Sequence, residues 1–291
     1  MQKWILGAAA LAMVATCAVA QRGGERERSR IAADATEMAY GSAPLQKLDF
    51  WAPKSANAPL VIFVHGGGWK RGDKNNATGG SKAPHYLAQG YAFASINYRL
   101  VPEATVEQQA ADVAASVAYL RGNATKLGID PNRIALMGHS AGAHLSALVG
   151  TDPQYLRKAG LDMSALAGVI PLDGAAYDVP TQMGENARIM GDTYKQAFGT
   201  DPTRQKALSP YYHAASPNSP AFLILHVERA DGARQSAALA GALRKNGAQV
   251  KLQGFDGKGL RGHMEINRKL GEPDYPATPV VDAWLRGVFG A

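Results

Sequence analysis

Five residues, Gly138-His139-Ser140-Ala141-Gly142, carry the strongest chemical signal in the chain. They follow the apolar run Ile134-Ala135-Leu136-Met137 and precede the helix-like Ala143-His144-Leu145-Ser146-Ala147-Leu148. A strand, a tight turn and a helix in that order set a serine hydroxyl on an exposed elbow. The flanking glycines permit the strained backbone and close strand–helix packing that such an elbow needs. A hydroxyl so placed becomes a nucleophile if a base and an anion-stabilising pocket stand beside it. The pentapeptide arises readily by chance in a chain with 32 glycines, so its companions decide.

The first companion lies upstream, where the buried-strand run Leu60-Val61-Ile62-Phe63-Val64 leads into His65-Gly66-Gly67-Gly68-Trp69. Three glycines in a row are poor strand material and suit a loop whose N–H groups approach another atom closely. Donors from Gly67, Gly68 and Ala141 would stabilise the negative charge that ester cleavage places on a carbonyl oxygen. The second companion is His263, after the strand-like Gln249-Val250-Lys251-Leu252 and the glycine-rich run Phe255 to Gly262, read as a loop. A general base there reaches the serine across the sheet edge. The third member of such a relay is a carboxylate between the serine and the histidine. Asp231, after the strand Phe222 to Val227, is the expected one. It also stands where it would N-cap a helix over Ala233 to Leu243, in which case Glu228 and then Asp256 follow as candidates.

The other histidines have plainer readings. His65 and His139 belong to their motifs and orient local backbone, with His139 also a substrate-side candidate. His144, one turn past the serine, is read first as a packed structural residue. His85, His213 and His226 stand outside any motif.

With these residues in place, the stretch from Leu45 to the C-terminus resembles the α/β-hydrolase superfamily. Within it, the chain is similar to the carboxylesterase-like branch that includes kynurenine formamidases and feruloyl or carbohydrate acetyl esterases. The carriers are His65 to Trp69, Gly72-Asp73-Lys74, Ile96-Asn97-Tyr98-Arg99-Leu100, Gly138 to Gly142, Arg234-Gln235-Ser236 and Gly262-His263-Met264-Glu265-Ile266-Asn267. The resemblance implies Ser140 as nucleophile, His263 as base, Asp231 as its orienter, and Gly67, Gly68 and Ala141 as oxyanion donors. Val227 follows His226 where family members commonly carry glycine, a departure that bears on the acid. His139 stands where the hormone-sensitive-lipase branch usually carries an acid, which leans the chain towards the formamidase and feruloyl-esterase side.

The elements that must position these residues alternate as strands and helices, the pattern of an α/β protein with a mostly parallel central sheet and helices on both faces. Tyr91 to Tyr98 reads as a strand. Thr105 with Gln108 forms a capping-box signal for a helix whose apolar face is Ala110, Val113, Val117 and Leu120. Asp130-Pro131-Asn132 is a turn, and Gly168 to Leu172 is a strand. From Ala175 to Pro220 the chain looks irregular, at the place where the resembling family inserts a cap. Trp69, Tyr177, Met183, Met190 and Tyr194 are candidate pocket walls there, with core packing the alternative for each.

At 291 residues with 46% apolar residues, the chain suits one catalytic domain, expected over 41–291. Met1 to Ala20, with Lys3 ahead of an apolar run that ends Ala18-Val19-Ala20, reads as a secretory signal too short to span a bilayer. The chain's single cysteine, Cys17, falls inside it; a lipid anchor on Cys17 is the competing reading, for which Thr16 is an unusual neighbour. Residues 21–40 read as a solvated, flexible linker. Lys3, Arg22, Arg26, Arg28 and Arg30 against Glu25 and Glu27 account for +3 of the +7 net charge. The remainder forms no basic stripe with interleaved aromatics, so nucleic acid is not an expected partner. The expectation is therefore an exported serine hydrolase acting on a small-molecule ester, needing no cofactor or metal. A formamidase or amidase with the same residues, or a catalytically silent binding member, is the alternative.

Overall fold

The computed structural model describes residues 34–290 apart from Asn76, 186–189 and Ser216. The expected signal segment with Cys17, and the linker up to residue 33, lie outside the described residues. The strands are β1 (Thr36–Ala39), β2 (Lys47–Trp51), β3 (Ala58–Val64), β4 (Ala92–Ile96), β5 (Ile129–His139), β6 (Gly168–Leu172), β7 (Ala221–Glu228) and β8 (Gln249–Lys258). They form a sheet in the order β1-β2-β4-β3-β5-β6-β7-β8. β1 and β2 are antiparallel additions at one edge, and the pairs from β4 to β8 are all parallel.

Every residue of β3, β4 and β6 is buried, as expected of parallel strands covered on both faces. The helices are α1 (Lys82–Ala88), α2 (Val106–Gly122), α3 (Ala124–Leu127), α4 (Ala141–Thr151), α5 (Pro153–Lys158), α6 (Val179–Glu185), α7 (Gly191–Phe198), α8 (Pro202–Ala207), α9 (Pro210–His213), α10 (Ala230–Lys245), α11 (Gly259–Lys269) and α12 (Ala277–Phe289). α2 begins with the expected capping box, Thr105 and Gln108 bonding each other's backbone N–H, and buries Ala110, Val113, Val117 and Leu120. α4 is buried along its whole length, so this short apolar helix is core on all sides.

Four readings of the sequence change. The linker ends earlier than expected, because β1 lies inside it and pairs with β2 from Thr36↔Phe50 to Ala39↔Lys47. The stretch 175–220 is not irregular: it holds α6 to α9, helices of four to eight residues. These are too short to display a period, and two start with proline at the first turn. The third change is at β8, which continues through Lys258 and passes directly into α11. The fourth is at α10, which begins at Ala230 with Arg229 as its N-cap, so Asp231 lies in the first turn and is not a cap. The turn at Asp130-Pro131-Asn132 survives as an irregularity in β5. Its partners on β3 jump from Ala58↔Ile129 to Leu60↔Ile134, and Asn132 N–H donates to Asp130 Oδ1 at 2.9 Å.

The register sets the functional edge. Val64 pairs with Gly138, His139 with Leu172, and Leu172 with Leu225, so the carboxyl ends of β3, β5, β6 and β7 finish level. The chain leaves β3 for β4 on one side and returns to β5 on the other. The crevice between those two strand ends is where open α/β sheets bind ligands.

Candidate active site

Ser140 stands in that crevice, between β5 and α4, with φ 57° and ψ −117°. A side-chain-bearing residue rarely adopts this region, and the neighbouring glycines let the surroundings hold it there. A Cβ on Gly142 would sit 2.1 Å from Val64 O, and one on Gly138 would sit 2.2 Å from Gly142 O. A Cβ on Gly66 would come within 3.0 Å of Ser140 Cβ. The strand, the helix and the loop after β3 therefore touch backbone to backbone around the serine. Gly67 and Gly68 follow with φ +128° and +62°, and both line one cavity with Ser140, Ala141 and His263. Ala141 is the first residue of α4, where helix N–H groups lack intrahelical acceptors and favour negative charge.

His263 lies on α11 rather than on a loop, and three contacts hold it. Its Nδ1 donates to Asp173 Oδ2 at 2.6 Å. Its carbonyl accepts from His139 Nε2 at 2.8 Å, with the two imidazoles 4.4 Å apart. Burial, and next the neighbouring His263, hold the His139 pKa well below the ordinary imidazole value, so this donor is a neutral ring. One turn further on, Asn267 takes the third contact. Its Oδ1 accepts from the buried Lys82 ammonium at 3.0 Å, its carbonyl accepts from the same Nζ, and its Nδ2 donates to Ala77 O at 2.9 Å. Lys82 also donates to Thr78 O at 2.7 Å and lies 4.7 Å from the Phe63 ring centre. Burial lowers its pKa to about 7.

The carboxylate on His263 is Asp173, not the expected Asp231. Asp173 follows β6 directly, is fully buried, and has φ 42°. Its Oδ1 accepts from Val227 N at 3.1 Å and its Oδ2 from Arg229 Nε at 3.3 Å as well as from His263. Burial raises its pKa, but the His263 bond, the Arg229 charge and the Val227 N–H outweigh it and bring the pKa down to about 2. Asp231 instead accepts from Arg229 Nη1 at 2.8 Å and from Gln182 Nε2 at 3.2 Å, which ties α10 to α6. Glu228 and Asp256 are exposed. Chain order cannot separate Asp173 from Asp231, since both fall between the serine and the histidine. The signal available was position: Asp173 ends the strand directly beside that of the serine, whereas Asp231 sits three residues beyond β7.

Of the expected substrate-side residues, Trp69 and His139 line the cavity. Tyr177 does not: it is fully buried, packed so close to Gly174 that a Cβ there would sit 2.2 Å from its hydroxyl. Met190 and Tyr194 line the cavity, and Met183 packs against the core. His144 is structural as expected, with Nδ1 accepting from Trp69 Nε1 at 3.3 Å and Nε2 donating to Leu208 O at 2.8 Å. His65 bonds Gly66 O at 2.7 Å and stacks on Tyr98, fixing the start of the glycine loop. Among the described residues, no three His, Cys, Asp or Glu side chains gather as metal ligands, and no helix is long and apolar enough to cross a membrane.

Residues 48–243 match the model of the BD-FAE family. This chain belongs to the BD-FAE family. The BD-FAE chain is 34% identical over 202 residues to esterase LipC of Mycobacterium tuberculosis, covering 65% of this chain and 49% of that one. It is 30% identical over 234 residues to esterase LipQ of the same organism, covering 75% and 55%. It thus spans about half the length of these curated relatives. Esterase B of Lactobacillus rhamnosis superposes with a TM-score of 0.71 at 22% identity, covering 97% of this chain and 96% of that one. The likeness shows that the BD-FAE member has the α/β-hydrolase fold expected of it.

Proposed function

We propose that this chain is a serine hydrolase that cleaves carboxylic esters through an acyl-enzyme. The observation that carries the reading is one cavity holding Ser140 on its strained elbow, the oxyanion glycines and the Asp173-paired His263. With Nδ1–H bonded to Asp173, the Nε2 of His263 is left as the basic nitrogen. It takes the Ser140 proton as Oγ attacks the ester carbon, and the carbonyl oxygen becomes an oxyanion facing Gly67, Gly68 and Ala141. Collapse breaks the C–O bond, His263 gives its proton to the departing alcohol, and the acyl group remains on Oγ. A water then loses its proton to His263 and attacks the acyl carbon; as the acyl–Oγ bond breaks, His263 returns that proton to Oγ, which releases the acid and restores Ser140. Asp173 stays ionised throughout and fixes the imidazole tautomer.

Two observations on relatives support the reading: LipC and LipQ are named esterases, and a solved Thermogutta terrifontis esterase 2 of the same fold is phosphoramylated by tabun. The test is hydrolysis of 4-nitrophenyl acetate by the protein and by Ser140→Ala. Turnover abolished in the variant is expected; equal turnover in both refutes the reading. Export belongs to the proposal on the strength of the Met1–Ala20 segment alone, and N-terminal sequencing of protein recovered outside the cytoplasm tests it, with cleavage after Ala20 expected.

A further inference from the structure

The cavity around Ser140, about 930 Å³ in volume, is lined by both apolar and basic side chains. The cap side is Met190, Thr193 and Tyr194, against Trp69. The lining also carries Lys70, Arg71 and Arg268, whereas Asp231 is the lone carboxylate among the described lining residues. Arg229, also on the lining, is already matched by Asp173 and Asp231. No described acid pairs with Lys70, Arg71 or Arg268. Glu265, three residues before Arg268 on α11, is instead taken by Lys269 at 2.6 Å. The mouth therefore carries three basic side chains that make no ion pair with a described acid.

Their placement relative to the reacting centre can be traced through the glycines. A Cβ on Gly67 would meet Arg71 O at 2.0 Å and Arg71 Cγ at 3.2 Å, so the Arg71 side chain leaves from directly over the oxyanion turn. A Cβ on Gly68 would meet Thr193 Cγ2 at 3.0 Å, so the cap wall begins at the next residue. Along α11, Leu260, Met264 and Arg268 recur every four residues, so they share one stripe, and all three line the cavity. Leu260 is 74% and Met264 53% exposed, an apolar rail of a kind that water seldom meets without a purpose. Arg268 lies five residues beyond His263 on α11, and both line the cavity.

Resting on the esterase reading above, we propose that the cavity selects esters whose apolar body ends in a carboxylate or similar anionic group, held by Arg268 and Arg71 on the cavity lining. The apolar body lies along Leu260 and Met264, and the anion meets guanidinium groups that have no described carboxylate partner to displace. Uncompensated charge around a cleft also raises the encounter rate of an anionic substrate and makes it sensitive to salt.

The test compares kcat/KM for two matched pairs. In the first, 4-acetoxybenzoate and its neutral methyl ester place the charge on the alcohol side. In the second, mono(4-nitrophenyl) glutarate and 4-nitrophenyl valerate place it on the acyl side. In at least one pair the anionic member is expected to be favoured by about tenfold or more at low salt. That preference should fall in high salt, and the anionic-to-neutral ratio should drop by about tenfold in Arg71→Ala/Arg268→Ala. Equal ratios in the protein and the double variant, or preference for the neutral member in both pairs, overturn the proposal. Failure to turn over any of the four esters refutes the esterase reading instead. Calorimetric binding of 4-acetoxybenzoate and its methyl ester to Ser140→Ala then decides the charge selectivity by itself: tighter binding of the anion supports it, and equal binding overturns it.

Discussion

Replacing Asp173 by asparagine separates the acid found on His263 from Asp231, the one expected from the sequence. In the native site Oδ1 accepts from the Val227 N–H while Oδ2 accepts from His263 Nδ1 and Arg229 Nε. Asparagine keeps the volume but has one acceptor. If its oxygen stays on the Val227 N–H, its NH₂ faces His263 Nδ1 and drives the imidazole proton to Nε2, the nitrogen needed as base. A carboxylate-to-amide change of this kind costs about 10⁴-fold in kcat where it has been made in a serine–histidine relay. A loss of about 10³- to 10⁴-fold with little change in KM is expected here, measured on 4-nitrophenyl acetate. The stability cost follows from the pKa. Folding lowers it from 3.8 to about 2, a difference that corresponds to about 2 kcal/mol for this buried group. Because the folded-state value is the lower one, this stabilisation is complete above the unfolded-state pKa and is lost as pH falls towards 2. Urea unfolding should therefore show the Asp173→Asn deficit at neutral pH and a shrinking gap in acid. Asp231→Asn, which leaves His263 its partner, should keep kcat within about tenfold. A hundredfold or larger loss in Asp231→Asn, with Asp173→Asn active, would refute the assignment.

Lys82→Met removes the donor that grips Asn267 on α11, and Lys82 does not itself line the cavity. The lost buried charge and the orphaned carbonyls oppose each other in stability, so the melting temperature should move little while kcat falls by about tenfold or more through loosened placement of His263. A fall in kcat with KM and melting temperature preserved is the expected signature, and unchanged kcat contradicts it. His144 gives a pH prediction: burial lowers its pKa to about 4, so between the ordinary value of 6.5 and 4 the unfolded chain binds a proton that the folded one excludes. Stability from this group is full above pH 6.5 and falls by about 3 kcal/mol by pH 4. In His144→Gln the acid-induced drop in urea midpoint should be smaller than in the parent, and identical drops would contradict the buried neutral ring.

Much of the site was legible because its parts announce themselves locally. Gly67, Gly138 and Gly142 mark backbone contacts where a Cβ would have only 2.0 to 2.2 Å and none fits, and the capping box at Thr105 marks a helix start without reference to anything distant. Where the reading missed, the deciding physics was non-local. Gly257, Gly259 and Gly262 looked like a flexible loop, yet a Cβ on Gly262 would meet the Gly257 carbonyl carbon at 2.3 Å. These glycines let α11 fold tightly against the end of β8, and so put His263 on a helix. Asp173 and Asp231 are equivalent in chain order and differ only through the register of β5, β6 and β7. Gln182 and Arg229, which occupy Asp231, lie 49 residues apart from it and two residues away respectively, and only the folded cap brings the first into reach. β1 lay hidden because a four-residue edge strand with a mostly exposed face carries little hydrophobic pattern.

The most direct test of the account is to treat the protein with a 4-nitrophenyl alkylphosphonate, which transfers its phosphonyl group to an activated serine, and to map the modified peptide by mass spectrometry. One phosphonyl adduct on Ser140, accumulating in step with the loss of ester hydrolysis and absent from His263→Ala, is the predicted result. Full ester hydrolysis by a protein quantitatively modified at Ser140, or inactivation with the adduct on another residue, would contradict it.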